Sequence, residues 1–161
     1  MEDIYLRPLR IEDAWTSYKW RNDPRVWVYT GSRPTCNVTI EMEEAWMRKV
    51  LNEDNSRRFA ICLRETDRYV GNAYLINIDR NRKSCELGIF IGDVSMWGRG
   101  IGTQANLKLK GIAAQDLGLC EVVGRIRVKH KGSLKAALRA GLVERQRDAE
   151  WVILGKRLEI T

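Results

Sequence analysis

The stretch that most constrains the fold is WGRGIGT, residues 97–103, because it stands between a strand-like run and a helix-like one. Upstream, residues 85–91 read CELGIFI, a short apolar run with the aromatic and β-branched bias of a buried strand. Downstream, residues 102–117 contain no proline, and Ala105, Leu109, Ile112, Ala113 and Leu117 recur at helical spacing. The order is strand, glycine turn, helix. Gly98, Gly100 and Gly102 alternate, so the turn can take backbone angles denied to other residues and bring its amides close to a ligand. The first helical turn adds unpaired N–H groups and the positive end of the helix dipole, which together suit a phosphate. This stretch reads as a cradle for a pyrophosphate.

Three phosphate-binding motifs compete for it. A Walker A loop needs Lys and then Ser or Thr after its last glycine, and Gly102 is followed by Thr103 and Gln104 with no such lysine. A dinucleotide fingerprint needs GxGxxG, but Thr103 stands where the third glycine belongs. Glu121 lies near the distance expected of the ribose acid, yet too few elements follow for a doubly wound sheet. The third pattern, [Q/R]xxGx[G/A], is met by Gly100 and Gly102, with Trp97 in place of Gln or Arg. The wider string WGRGIGT resembles the acetyl-CoA loop of the GNAT superfamily of N-acetyltransferases, in the form found in the branch of ribosomal-protein N-terminal and spermidine acetyltransferases.

Charge placement supports an anionic ligand. Residues 1–80 hold 13 basic and 13 acidic side chains, whereas residues 81–161 hold 15 and 8, so the net charge of +7 lies in the half that carries the loop. A basic half suits the phosphates of CoA, and also nucleic acid. At 161 residues the chain is expected to form one domain, residues 1–161. No apolar run approaches the roughly 20 residues needed to span a membrane. The opening MEDIYLRPL has acids and no signal-peptide core, so a cytoplasmic protein is expected. Cys36, Cys62, Cys85 and Cys120 form no CxxC pair, which argues against a metal site and for mostly buried thiols.

The remaining elements follow from periodicity and punctuation. Residues 4–9 predict a first strand, and residues 11–23 a helix whose apolar face is Ala14, Trp15 and Tyr18, with Pro24 as its stop. Residues 31–37 read as a loop. Thr39 caps a second helix through Asn52, with Ile40, Met47, Val50 and Leu51 inward. Glu41, Glu43 and Glu44 near its start suit the helix dipole, or else hold a cationic amine. Residues 58–64 and 69–78 predict a hairpin, and residues 79–83 turn into the strand at 85–91. Gly118 ends the long helix. A strand at 121–128, a helix at 133–140 stopped by Gly141, and a hairpin from 142–145 to 151–158 complete the chain.

The order β, α, α, β, β, β, α, β, α, β, β is that of an α/β (α+β) GNAT fold, a mixed sheet splayed between the fourth and fifth strands. The resemblance implies acetyl-CoA as cosubstrate. Its pantetheine would pair with the backbone of Ile89, Phe90 and Ile91, and its pyrophosphate would meet Trp97, Gly98, Arg99, Gly100, Ile101, Gly102 and Thr103. His130 and Ser133, at the start of the last helix, complete the expected cofactor set.

Acetyl transfer by direct attack needs a deprotonated amine, a donor for the oxyanion and a proton or dipole for the departing thiolate. An alkyl amine with pKa near ~10.4 is free base in about one molecule per thousand at neutral pH. Glu86, on the strand facing the acceptor, is the candidate base. The family's last helix follows a pattern like NxxSxxxYxxxGF, but this chain reads HKGSLKAALRAGL, with Ala137 at the tyrosine position. The usual general acid is missing. His130, Tyr29, Tyr74 or a water could replace it, or positioning alone could suffice.

The resemblance leaves several acceptors open: an amino sugar on a nucleotide or another small amine, a polyamine, or a protein N-terminus. Tyr29, Tyr74 and Glu86 are the expected substrate contacts. A homodimer is possible, as is a member that binds CoA without catalysis. The six Trp, five Tyr and net +7 also fit a basic RNA-binding face. However, Trp15, Trp46 and Trp151 fall on apolar faces assigned to the core, which makes nucleic acid the less favoured partner.

Overall fold

The computed structural model describes residues 2–30 and 33–159. A seven-stranded mixed sheet has the order β1-β2-β3-β4-β5-β7-β6. Its strands are β1 (Ile4–Pro8), β2 (Arg57–Leu63), β3 (Tyr69–Asp79), β4 (Ser84–Ile91), β5 (Glu121–Arg127), β6 (Val143–Arg147) and β7 (Trp151–Arg157). All neighbours are antiparallel except β4 and β5. That parallel pair is joined only at Ser84–Glu121, Cys85–Val122 and Glu86–Val123, after which the two strands part.

Alternation along the strands supplies two apolar faces. On one, Ile61, Leu75, Leu87, Val122 and Leu154 pack with Ile101, Ala105 and Leu109 of α4 (Ile101–Gly111) and with Ala137 of α5 (Lys131–Arg139). On the other, Ala60 and Cys62 pack with Ala14 of α1 (Ala14–Arg21) and Met47 of α3 (Ile40–Leu51). This second layer leaves the face of β5 and β7 open, where Arg125 and Arg127 lie 4.8 and 4.6 Å from the centroid of the Trp151 ring.

Several sequence expectations need correction. Pro24 does not simply stop a helix. α1 ends at Arg21, and Pro24 opens α2 (Pro24–Thr30), as a residue with no N–H can at a first helical position. Asp23 caps α2, accepting from the Arg25 amide at 3.0 Å. The buried face of α1 is Ala14, Ser17 and Trp20, whereas Trp15 is 58 % exposed. Trp46 lines a cavity and Trp151 stacks with arginines, so neither is plain core. Leu51 is 38 % exposed and Cys36 is exposed. The helix expected over 102–117 is α-helical only to Gly111, and residues Ile112–Asp116 continue it in a wider turn. Of the loop expected at 31–37, Gly31 and Ser32 lie outside the described residues. No helix is long and apolar enough to cross a membrane among the described residues.

Candidate active site

The glycine stretch leads into α4 as the spacing requires. Gly98 and Gly100 have φ of +74° and +80°, the left-handed region that other residues reach only with strain. Gly100 is the N-cap of α4 and therefore offers no side chain to its first amides. Those amides, on Ile101, Gly102 and Thr103, keep their donors and the dipole for an external anion. Arg99 is turned aside, bonded to the Ser95 carbonyl and the Glu2 carboxylate. The residues present fit a pyrophosphate.

Beside the cradle is an aromatic row. The Trp97 indole N–H donates to the Ile91 carbonyl at 2.9 Å, tying the loop to the end of β4. Tyr29 of α2 meets Trp97 edge-on at 5.9 Å and stacks on His130 at 4.8 Å. His130 is the N-cap of α5, with Ser133 in the first turn behind it. Burial under this stack pushes the His130 pKa below 6.5, so the imidazole is neutral at physiological pH. A neutral imidazole retains one N–H and one lone pair, so it can donate one hydrogen bond and accept another, but it lacks the extra proton of an imidazolium.

Glu86 belongs to the last rung that joins β4 to β5, at the closed end of the fork. Its Oε2 accepts from Asn77 Nδ2 at 3.1 Å. Two residues on, Gly88 faces Tyr74 across the β3–β4 pair. A Cβ at Gly88 would stand 2.5 Å from the Tyr74 hydroxyl, so the absence of a side chain there lets the phenol lie across β4 just past the last rung. Burial raises the Tyr74 pKa, so it keeps its proton.

A cavity of about 360 Å³ opens under α1, α2 and α3 against β2, β3 and β4. Tyr74 and Phe90 line it, Phe90 on the stretch of β4 that no longer pairs with β5. Its charged groups are Arg21, Glu43 and Arg58. Arg21 Nε bonds Glu43 Oε1 at 2.8 Å, and its guanidinium lies 4.2 Å from the centroid of the Trp46 ring. Burial raises the Glu43 pKa, opposed by Arg21. Arg21 and Arg58 were not singled out from sequence, and Trp46 was assigned to the core. The alternation of β2 puts Arg58 with Ala60 and Cys62 on the face opposite the main core, the only local signal it gave. Glu43 was read as suiting the dipole or else holding a cationic amine; its carboxylate is fully buried and its cationic partner is Arg21.

A strand that ends in an uncapped helix N-terminus, a sheet forked beside it and a cavity across the fork define a class of protein, the acyltransferases of the GNAT fold. The model of the acetyltransferase (GNAT) domain family matches residues 3–143. The chain belongs to that family and is an acetyl-CoA-dependent N-acetyltransferase. It is 27 % identical over 135 residues to the uncharacterised N-acetyltransferase p20 of Bacillus licheniformis, covering 83 % of this chain and 75 % of that protein. The spermidine N-acetyltransferase of Vibrio cholerae, solved with CoA and spermine, has the same fold, with a TM-score of 0.83 at 18 % identity over 96 % of this chain and 95 % of that one. A domain from Methanocaldococcus jannaschii superposes with a TM-score of 0.78 at 24 % identity, over 98 % and 100 % of the two chains.

Proposed function

We propose that the chain transfers acetyl to the primary amine of a small molecule seated in the cavity, and that an amino sugar carried on a nucleotide is an acceptor its basic half favours. The observation that carries this reading is the position of Phe90 and Tyr74, which border both the cavity and the unpaired stretch of β4. Bound acetyl-CoA supplies a thioester carbonyl to that border. Ile89, Phe90 and Ile91 hold the pantetheine through their backbone, and the stretch from Trp97 to Thr103 holds the pyrophosphate. His130 and Ser133 close the other wall of the channel, with Tyr29 over it.

Glu86 takes the ammonium proton, directly or through a water, while Asn77 fixes its second oxygen. Tyr74 holds its O–H over Gly88, where charge develops on oxygen or sulfur. His130, being neutral, serves as a hydrogen-bond donor to the sulfur or as a relay for the amine proton. Ala137 is fully buried in the core and brings no hydroxyl to the cleft from the position where the family pattern has tyrosine.

A polyamine is the second reading, favoured by the spermidine-acetylating fold neighbour and opposed by the excess of arginine in the cavity. Calorimetric titration with acetyl-CoA, followed by thiol release against amino-sugar nucleotides, polyamines and peptides, decides between them. Glu86→Gln is expected to lower kcat by about 100-fold or more with CoA affinity unchanged. An unaltered kcat would remove Glu86 from the mechanism.

The pH profile carries a separate expectation. Protonating His130 requires a pH below 6.5 and adds a positive charge to a buried stack, so wild-type turnover should gain a falling acidic limb there. His130→Gln should lose that limb and keep the one due to the amine. Tyr74→Phe should instead lower turnover across the whole range. Identical limbs in wild type and His130→Gln would show that the imidazole takes no part.

A further inference from the structure

Arg58 is the charge in the cavity that no ion pair among the described residues answers. Its guanidinium lies between two rings, 5.5 Å from the centroid of Trp46 and 5.3 Å from that of Tyr74. Stacking covers the faces of a guanidinium and leaves its donor edges free. Arg58 makes no salt bridge among the described residues, and its Nε is buried without a hydrogen-bond partner. Arg21 does not share this condition, because Glu43 is bonded to it. The cavity therefore carries one positive charge in excess.

A partly desolvated guanidinium with no carboxylate in contact is unfavourable in the free protein. Burial lowers the Arg58 pKa despite the attraction of Glu53, in keeping with that cost. Such a group is explained by a ligand that completes it. We propose that the acceptor is a primary amine that also carries an anionic group, a carboxylate or a phosphate, and that Arg58 grips that group by its free edge. The planar fork matches the two oxygens of either anion. Around it, Leu9, Val26, Ile76 and Phe90 give apolar wall for the carbon skeleton between anion and amine. A polyamine, all cation, meets repulsion at the same point. The proposal rests on the acetyl-transfer reading for the fate of the amine, but the anion site stands on geometry alone.

The test separates the two. Glutarate and inorganic phosphate, which cannot be acetylated, are titrated calorimetrically into wild type, Arg58→Lys and Arg58→Gln. In parallel, thiol release from acetyl-CoA is followed with 5-aminopentanoate, O-phosphoethanolamine and spermidine. At least one anion is expected to bind wild type, and Arg58→Gln is expected to weaken it by about 10- to 100-fold. Arg58→Lys, with charge but no fork, should fall between. The free Arg58→Gln protein should melt no lower than wild type, since an uncompensated charge has been removed.

With acetyl-CoA, the matching anionic amine should exceed spermidine in kcat/KM, and Arg58→Gln should erase the preference through KM. Binding of glutarate alone identifies a carboxylate, and binding of phosphate alone a phosphate. Anion binding that depends on Arg58, without thiol release from any amine, supports the anion site and overturns acetyl transfer to these acceptors. Thiol release from spermidine alone, anion binding equal in Arg58→Gln and wild type, or no anion binding at all overturns the proposal.

Discussion

Gly100→Asp is expected to abolish acetyl-CoA binding in a protein that still folds. At φ +80° an aspartate is held in the left-handed region at a cost of about 1–2 kcal/mol. In a chain of 161 residues that lowers Tm by only about 2–8 °C. The new carboxylate is an N-cap that accepts from the first amides of α4, the donors now left to an external anion. The cradle thus loses its donors and gains a negative charge. Two charge-assisted hydrogen bonds at about 1.5–3 kcal/mol each amount to a loss of affinity of at least ~100-fold. Calorimetry with acetyl-CoA, alongside a melting curve to confirm the fold, reads both. Affinity equal to wild type would mean that the pyrophosphate binds elsewhere.

Arg21→Met is expected to destabilise the protein by about 3 kcal/mol at pH 8, or roughly 10 °C in Tm. The reason lies in its partner, because the Glu43 carboxylate is fully buried while Arg21 remains 35 % exposed. Without the guanidinium, Glu43 must be buried unpaired or take up a proton. Its pKa is already raised above 4.5 by desolvation, and losing Arg21 raises it further. A raised carboxylate pKa means that the native state binds more protons than the unfolded state, so stability falls as pH rises from 4.5 through the folded pKa. The gap between variant and wild type should therefore be wide at pH 8 and narrow near pH 4.5. Adding Glu43→Gln to Arg21→Met should recover most of the loss at pH 8. A gap independent of pH would assign the effect to the packing of Arg21 on Trp46.

The cradle was legible in sequence because everything it needs is local. The backbone of Gly98 and Gly100 and the first amides of α4 lie within a few residues, and glycine spacing announces them. The cavity was not legible, because Arg21, Glu43 and Arg58 come from α1, α3 and β2 and meet only once those elements are packed. Nothing local in the sequence marks Arg21, Arg58 shows only its place in the alternation of β2, and Glu43 reads equally as a dipole anion or a partner for a cationic amine. The sidedness of α1 failed for a related reason. In a helix of eight residues, Ala14–Trp15–Tyr18 and Ala14–Ser17–Trp20 are both faces, and the buried one includes a serine that hydrophobic patterning passes over. Pro24 shows the limit of punctuation, since the same residue closes one helix and opens the next. The main sheet needed no tertiary information. The strands from β2 to β4 are mostly apolar, and the turns between them, at residues 64–68 and 80–83, are polar.

The fork between β4 and β5 also bears on how the folded chain holds together. Three rungs, with the Cys120 and Glu121 amides bonded to the Lys83 carbonyl beside them, knit β1 to β4 into one sheet with β5 to β7, and elsewhere the halves depend on α4 and α5 packed across them. With a pantetheine arm in the gap as proposed, the cosubstrate supplies main-chain partners that the polypeptide lacks and becomes a strand of the sheet as well as a reagent. Folding and ligation are then one equilibrium, and the free energy holding the halves together rises with the logarithm of acetyl-CoA concentration. On that reading the free molecule is looser than the bound one, and the amides bordering the gap are expected to gain protection from hydrogen exchange when acetyl-CoA is added.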